Sequence, residues 1–303
     1  MASTEKEIGR LMKAAFAPAT HLAYENGIKV FERFRSELAL PQTWPVKQEH
    51  VPHFVAYLSL QNKSLATTKT YLAALAAKHK SNGWPDYTDT WIIKKLLKGF
   101  GKKLSSKDCK KPITLEKLNE ILRILPFVCS NTFEAHLFKA AFTLAFYGFF
   151  RVSELLGQKS NIQGGRPPLE HQDIKLYASH MKVWLRMSKT DQHGQGATVL
   201  IQKEVSEFCP LSVMGNYLRE RGSAQGPLLV HKNGKPLTIY QFQGVLSKAV
   251  RFLKWNPKGF VPHSFRIGAA TTAAINKMSE DEIMAKGRWK SCAYKRYIRQ
   301  DMV

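Results

Sequence analysis

An arginine directly follows an aromatic run in Phe149-Phe150-Arg151-Val152-Ser153-Glu154. An arginine at the end of such a run either snorkels to water or is held for a purpose. Glu154 lies three residues on, so one helical turn lets it orient the guanidinium. A second set of reactive types is Pro262-His263-Ser264-Phe265-Arg266. Positions three apart share a helix face, so His263 and Arg266 can point at one ligand. A bare His-x-x-Arg is nonetheless common by chance. The third set is Gly287-Arg288-Trp289-Lys290-Ser291, followed by Ala293-Tyr294-Lys295-Arg296-Tyr297-Ile298-Arg299. Tryptophan and tyrosine near a C-terminus are usually core residues, but Lys290, Lys295, Arg296 and Arg299 make this a poor setting for purely apolar packing. Glu154 is the single acid in these motifs. Two-metal nucleases need several carboxylates, so no metal and no cofactor is expected.

The charge balance says what ligand such cations would meet. Lys plus Arg total 46 against 23 Asp plus Glu, a formal charge of +23 over 303 residues. A field of that sign attracts polyanions, and pairing phosphates with basic side chains releases condensed counterions. Nucleic acid is the first partner to expect; an anionic membrane surface is the other. Cys109, Cys129, Cys209 and Cys292 are scattered, with no Cys-x-x-Cys pair, so neither a disulfide framework nor a zinc site is indicated. The polar N-terminus does not read as a signal peptide. The most apolar stretch, Ala140 to Phe150, is bounded by Lys139 and Arg151 and is far shorter than the ~18 residues a membrane span needs. It reads as a buried helix in a soluble, intracellular protein.

The elements that must position these residues fall into two groups. Tyr24, Ile28, Phe31, Phe34 and Leu38 recur at helical steps, with Thr20 as N-cap and closure before Pro41. Val51, Phe54, Val55 and Leu58 mark a second helix. Ser64 caps a third through Leu75, ended by Gly83, and Trp91 to Leu97 suggest a fourth. A basic stretch follows, from Lys94 to Lys111, interrupted by Gly99 and Gly101. It is either an ordinary solvated linker or, the reading favoured here, a flexible strap across a DNA backbone. From Pro112 a second domain begins, with a helix from Thr114 and Glu116 and then the apolar helix ending near Phe150. Alternation at Met181, Val183, Leu185 and Met187, and at Val199 and Ile201, predicts a hairpin around a polar turn at Ser188 to Gly196. Helices resume at Leu211 to Arg221 and Thr238 to Leu253, around a short strand at Leu228 to His231 and an Asn233-Gly234 turn. Gly164-Gly165-Arg166-Pro167-Pro168 is a loop without an assigned role.

Taken in order, Arg-Val-Ser-Glu-Leu, a hairpin lysine, His-Ser-Phe-Arg, Gly-Arg-Trp and a late tyrosine resemble the phage-integrase-type tyrosine recombinases. The match spans residues 112 to 301, and the bundle at roughly 10 to 105 looks like that family's core-binding domain. The wording His-Ser-Phe-Arg-Ile-Gly-Ala-Ala-Thr, Gly-Arg-Trp-Lys-Ser and Arg-Tyr-Ile-Arg is most similar to recombinases of the DIRS-like, Ngaro and Crypton mobile elements and their domesticated relatives. The resemblance implies a mainly α fold with a small β-sheet: a helical DNA-binding domain (1–105), a basic linker (106–111) and a catalytic domain (112–303), closing as a C-shaped clamp on duplex DNA. It implies that Arg151 and Arg266 grip the scissile phosphate, that Lys189 is the general acid, and that His263 and Trp289 bond phosphate oxygens. Glu154 then supports the site, and Tyr297 is the nucleophile forming a 3′-phosphotyrosine link. A homotetramer on paired DNA sites in the nucleus, without a membrane, would follow. The sequence departs from the family in places. Trp289 to Tyr297 is one residue shorter than the commonest spacing, with Tyr294 nearby, and Tyr297 is preferred for its Arg-Tyr-Ile-Arg setting. Lys286 replaces a usual leucine, and only six residues follow Tyr297. Two other readings keep the fold: a domesticated, non-catalytic DNA-binding protein, and a type IB topoisomerase.

Overall fold

The computed structural model describes residues 2–103, 109–157, 166–187 and 195–302. The chain separates into two compact units, Met1–Lys107 and Asp108–Val303, each with its own core.

The first unit is a bundle of α1 (Ala2–Ala14), α2 (Pro18–Glu37), α3 (His50–Leu60), α4 (Leu65–Ser81) and α5 (Trp91–Lys103). Phe31, Phe34 and Phe54 pack ring against ring at its centre and are fully buried. Each contributes about 1.5–3 kcal/mol by leaving water. Ser64 caps α4 as expected, its Oγ accepting the Thr67 amide at 3.0 Å. Two expectations fail. α2 starts at Pro18 rather than behind Thr20, because a proline suits the first helical turn, where no amide partner is needed. The basic stretch from Lys94 to Lys111 reads as a flexible strap, but its part from Lys94 to Lys103 belongs to helix α5, whose Ile93 and Phe100 are anchored in the core. α1 was not foreseen from the sequence.

The second unit holds α6 (Leu115–Val128), α7 (Thr132–Tyr147), α8 (Val152–Leu155), β1 (Ile174–Leu176), β2 (His180–Leu185), β3 (Ala197–Gln202), α9 (Pro210–Arg221), α10 (Ile239–Phe252), α11 (His263–Ile275) and α12 (Glu280–Gly287). α7 runs through the core, where Phe142 meets Phe242 and Phe265 at ring separations of 4.7 and 4.9 Å. The strands form one antiparallel sheet in the order β1-β2-β3, with Met181 opposite Ile201 and Val183 opposite Val199. The alternating residues Met181, Val183, Leu185, Val199 and Ile201 are its buried face. The hairpin expected from Met181 to Ile201 is therefore present, and its turn at 188–194 lies outside the described residues.

The strand expected at Leu228 to His231 is instead held by an isolated bridge, Val230 to Pro236, and by side chains. Tyr217 Oη donates to Leu228 O and accepts the Val230 amide, while Arg221 Nε also donates to Leu228 O. Those bonds take the backbone groups a ladder would use. The apolar helix also stops short of Phe150. α7 ends at Tyr147, and Phe149 turns left-handed at φ 49°. Phe149 N then donates to Phe146 O and Phe150 N to Ala145 O, closing the helix. Gly148 permits the reversal, since a Cβ there would strike the Phe150 ring.

Candidate active site

α12 ends by the same device as α7. Arg288 is left-handed at φ 55°, its amide donates to Ala285 O, and the Trp289 amide donates to Met284 O. Gly287 again stands one place early, where a Cβ would strike the aromatic ring two residues on, here Trp289. Gly148-Phe149-Phe150 and Gly287-Arg288-Trp289 are thus matching helix ends. They meet across the site, with the Phe149 and Trp289 rings edge-to-face at 6.2 Å.

Arg266, on the first turn of α11, joins them. It is 0% exposed, donating Nη1 to Phe149 O and Nη2 to Gly287 O. The C-terminal ends of two helices carry partial negative charge, which is what allows a guanidinium to be buried there. Its carbon lies 4.4 Å from the Trp289 ring centre and 5.5 Å from that of Tyr297. Nε of Arg266 and Nε1 of Trp289 are buried without a hydrogen-bond partner among the described residues. Burial first, and then the charge of Arg151, lower the Arg266 pKa to about 9.

Arg151 sits at the N-cap of α8, outside α7. Its Nη1 donates to Glu154 Oε1 at 2.8 Å and its amide to Glu154 Oε2 at 2.9 Å. The expected partnership across three residues is therefore made, at a helix start rather than within a helix. Arg288 Nη2 donates to Glu154 Oε2 at 3.1 Å. Burial would raise the Glu154 carboxyl, but Arg288, the Arg151 amide and the Arg151 charge outweigh it and hold the group below its ordinary range. Three guanidinium groups around one carboxylate leave an excess of positive charge in a largely buried pocket. Such a pocket is built to receive an anion.

The remaining residues close around Tyr297. Its ring centre lies 4.9 Å from that of Trp289 and 5.1 Å from that of His263, the first residue of α11. Thr271 of α11 fixes the backbone there: its Oγ1 donates to Tyr297 O and accepts the Arg299 amide, each at 3.2 Å. Tyr294 is 1% exposed, packs near Trp289 at 6.4 Å, and belongs to the core. The structure therefore gathers Arg151, Glu154, His263, Arg266, Trp289 and Tyr297 in one place, whereas Lys189 lies outside the described residues. Arg186, at the end of β2 leading towards that turn, is anchored by Glu170 at 2.7 Å and Asp173 at 3.0 Å. Pro167, Pro168 and Asp173 line a cleft beside Glu154, which gives the described end of the unassigned loop a location. Thr271 and Arg288 were not singled out from the sequence. The repeated Gly-x-aromatic triplet was the legible sign for Arg288; Thr271 carries none. Among the described residues no group of three or more His, Cys, Asp or Glu could hold a metal ion. No helix among them is long and apolar enough to cross a membrane.

Residues 11–80 match the family described as phage integrase, N-terminal SAM-like domain. Compared with curated proteins, the chain has no significant match. Solved structures similar to it include the Tn1549 transposon integrase in complex with circular intermediate DNA, at 16% identity and TM-score 0.63, over 93% of this chain and 89% of that one. The XerH site-specific recombinase bound to palindromic difH substrate is similar at 15% and 0.65, over 92% and 77%. A lambda integrase tetramer bound to a Holliday junction is similar at 13% and 0.66, over 98% and 77%. At these identities the likeness is one of fold, and it covers nearly the whole chain. A mainly helical chain with a small antiparallel sheet, it has the fold of these DNA-bound integrases and recombinases.

Proposed function

We propose that the chain is a tyrosine site-specific recombinase, cutting and rejoining double-stranded DNA through a 3′-phosphotyrosine intermediate. The observation that carries this reading is the set of Tyr297 against Arg266, His263 and Trp289, over a buried pocket with an excess of guanidinium charge. The Tyr297 hydroxyl attacks the scissile phosphorus as its proton passes to His263 or solvent, and the bond to the 5′ oxygen breaks. Lys189 protonates that oxygen as it leaves. Arg151 and Arg266 oppose the charge that builds on the equatorial oxygens, the unpartnered Nε of Arg266 included. His263 and the Trp289 N–H bond phosphate oxygens, and Glu154 holds Arg151. The phosphotyrosine bond conserves the energy of the broken diester, so attack by a 5′ hydroxyl reseals the strand without ATP.

In this reading the first unit is the core-binding domain, joined through 106–111 to a catalytic domain at 112–303. The assembly is a homotetramer on two sites, as lambda integrase forms on a Holliday junction, acting in the nucleus as the product of a DIRS-like, Ngaro or Crypton type of element. The match at 11–80 favours a recombinase over a type IB topoisomerase. The test is covalent trapping: protein with a pooled nicked-DNA library in EDTA, stopped with detergent, and the linked peptide identified by mass spectrometry. A link at Tyr297 is expected, and it is lost in Tyr297→Phe while DNA binding persists. Tight, salt-sensitive binding with no link from any DNA would turn the reading to a non-catalytic binding protein.

A further inference from the structure

We infer that Arg288 is a positioning residue of the phosphate pocket, tying Glu154 to the end of α7 so that Arg151 and Arg266 keep donors for the ligand. The inference rests on the recombinase reading for its ligand, though not for its geometry.

It starts from the backbone. Arg288 is left-handed, at φ 55° and ψ 41°, a conformation glycine adopts without steric penalty and arginine does not. Gly287 cannot be moved into that place, because it is needed where the Trp289 ring folds back. A long side chain therefore stands where the backbone least tolerates one, and its contacts offset the strain. Nη1 donates to Gly148 O at 3.0 Å and to Lys286 O at 3.3 Å. Nη2 donates to Glu154 Oε2 at 3.1 Å and to Phe149 O at 3.4 Å. The guanidinium carbon lies 4.9 Å from the centre of the Phe150 ring. Both terminal nitrogens point at protein acceptors, so the ties of Arg288 run to the site's own groups; its Nε, like that of Arg266, is buried without a hydrogen-bond partner among the described residues.

What it holds is the division of Glu154. One carboxylate oxygen serves the Arg151 side chain; the other is occupied by Arg288 and the Arg151 amide. Without Arg288 the second oxygen is free to draw the Arg151 fork into a bidentate pair, turning it from the ligand. The Phe149 carbonyl, shared by Arg266 and Arg288, would also lose a donor. The charged groups facing Glu154 are Arg151 from its own element, Arg266 from α11 and Arg288 after α12. Asp173 and Arg186 line the cleft beside it.

The test compares wild type, Arg288→Gly and Arg288→Lys, with Glu154→Gln to assign the carboxyl signal. Arg288→Gly suits the backbone and removes every side-chain contact. It should fold and bind a duplex site with wild-type affinity, yet form the Tyr297 adduct more slowly, on the order of a hundredfold, as misplaced groups do. Its Glu154 carboxyl, followed by carbon NMR, should titrate higher than in wild type, towards or beyond the ordinary 4.5. Arg288→Lys should restore the low titration through its charge but not the full rate, because an ammonium lacks the fork. Wild-type cleavage by Arg288→Gly, or an unmoved Glu154 titration, overturns the inference. Should Arg288→Gly not fold, Arg288→Lys decides: slower cleavage at unchanged affinity supports it and a wild-type rate overturns it. A wild type that forms no adduct sinks the recombinase reading alone, and the Glu154 titration still decides what Arg288 does.

Discussion

At the scale of single residues, the site sets buried charge against too few partners. Arg266 is held by two carbonyls, and its pKa is pushed down first by burial and then by Arg151. Keeping that cation inside costs stability, and a bound anion offsets the cost. Inorganic phosphate or sulfate should therefore raise the melting temperature, by about 1.4 kcal/mol of stability at ten times its Kd. Arg266→Met should abolish the increment in a thermal-shift measurement, and a variant stabilised as much as wild type would place the anion elsewhere. Glu154 provides the complementary pH dependence. Its folded pKa lies below the ordinary 4.5, so its contribution to stability is present above that value and is lost as pH falls through the folded one. Urea midpoints measured from pH 6 to pH 3 should fall less steeply for Glu154→Gln, which is already less stable at pH 6, than for wild type. The residue types and their spacing were legible because the proposed phosphate chemistry restricts the choice to few side chains. The Arg-Tyr-Ile-Arg setting already favours Tyr297 over Tyr294, and what the sequence did not disclose is that Tyr294 is buried in the core.

At the scale of elements, two glycines and a threonine place the chemistry. Gly148→Ala and Gly287→Ala each drive a methyl group into an aromatic ring that must fold back over its helix end. Each should cost about 1–3 kcal/mol in chemical denaturation, as overpacking does. Each should also slow adduct formation beyond what that loss explains, because Arg266 is held by the carbonyls of both turns. Equal rates in folded mutant and wild type would show that the turns serve folding alone. Thr271→Val removes the hydroxyl that holds the Tyr297 carbonyl and the Arg299 amide. A loss of about 1 kcal/mol per bond is expected, with reduced cleavage and unchanged DNA affinity. Helix and strand periods were readable because α3, α4, α10 and the β2-β3 pair bury one face each. The boundaries that mattered were not. The apolar run to Phe150 reads as continuous helix until Gly148 and the left-handed Phe149 are seen to break it. The strand at Leu228 failed because side chains of α9 occupy its backbone groups, a tertiary fact no local pattern records.

At the scale of the whole molecule, the formal charge of +23 acts on two equilibria with opposite signs. Like charges on separate copies repel, which keeps the free protein apart at low salt. In the proposed reading the same charge would draw each copy to DNA, whose phosphates would remove the repulsion and allow neighbours to assemble. DNA binding itself weakens as salt rises, with a slope of about −0.9 per phosphate neutralised. Assembly of the proposed tetramer should therefore require DNA and pass through an optimum in salt. At low ionic strength, tight binding covers non-specific sites and scatters the subunits; at high ionic strength, the subunits leave the duplex. Sedimentation of the purified chain with and without a site-bearing duplex, from about 50 to 200 mM salt, the range over which such contacts lose ~10³–10⁵ in affinity, measures both terms. A monomer without DNA that becomes a two-duplex complex at intermediate salt is expected. A stable tetramer without DNA would mean that apolar contacts between copies outweigh the field, and that charge does not gate assembly.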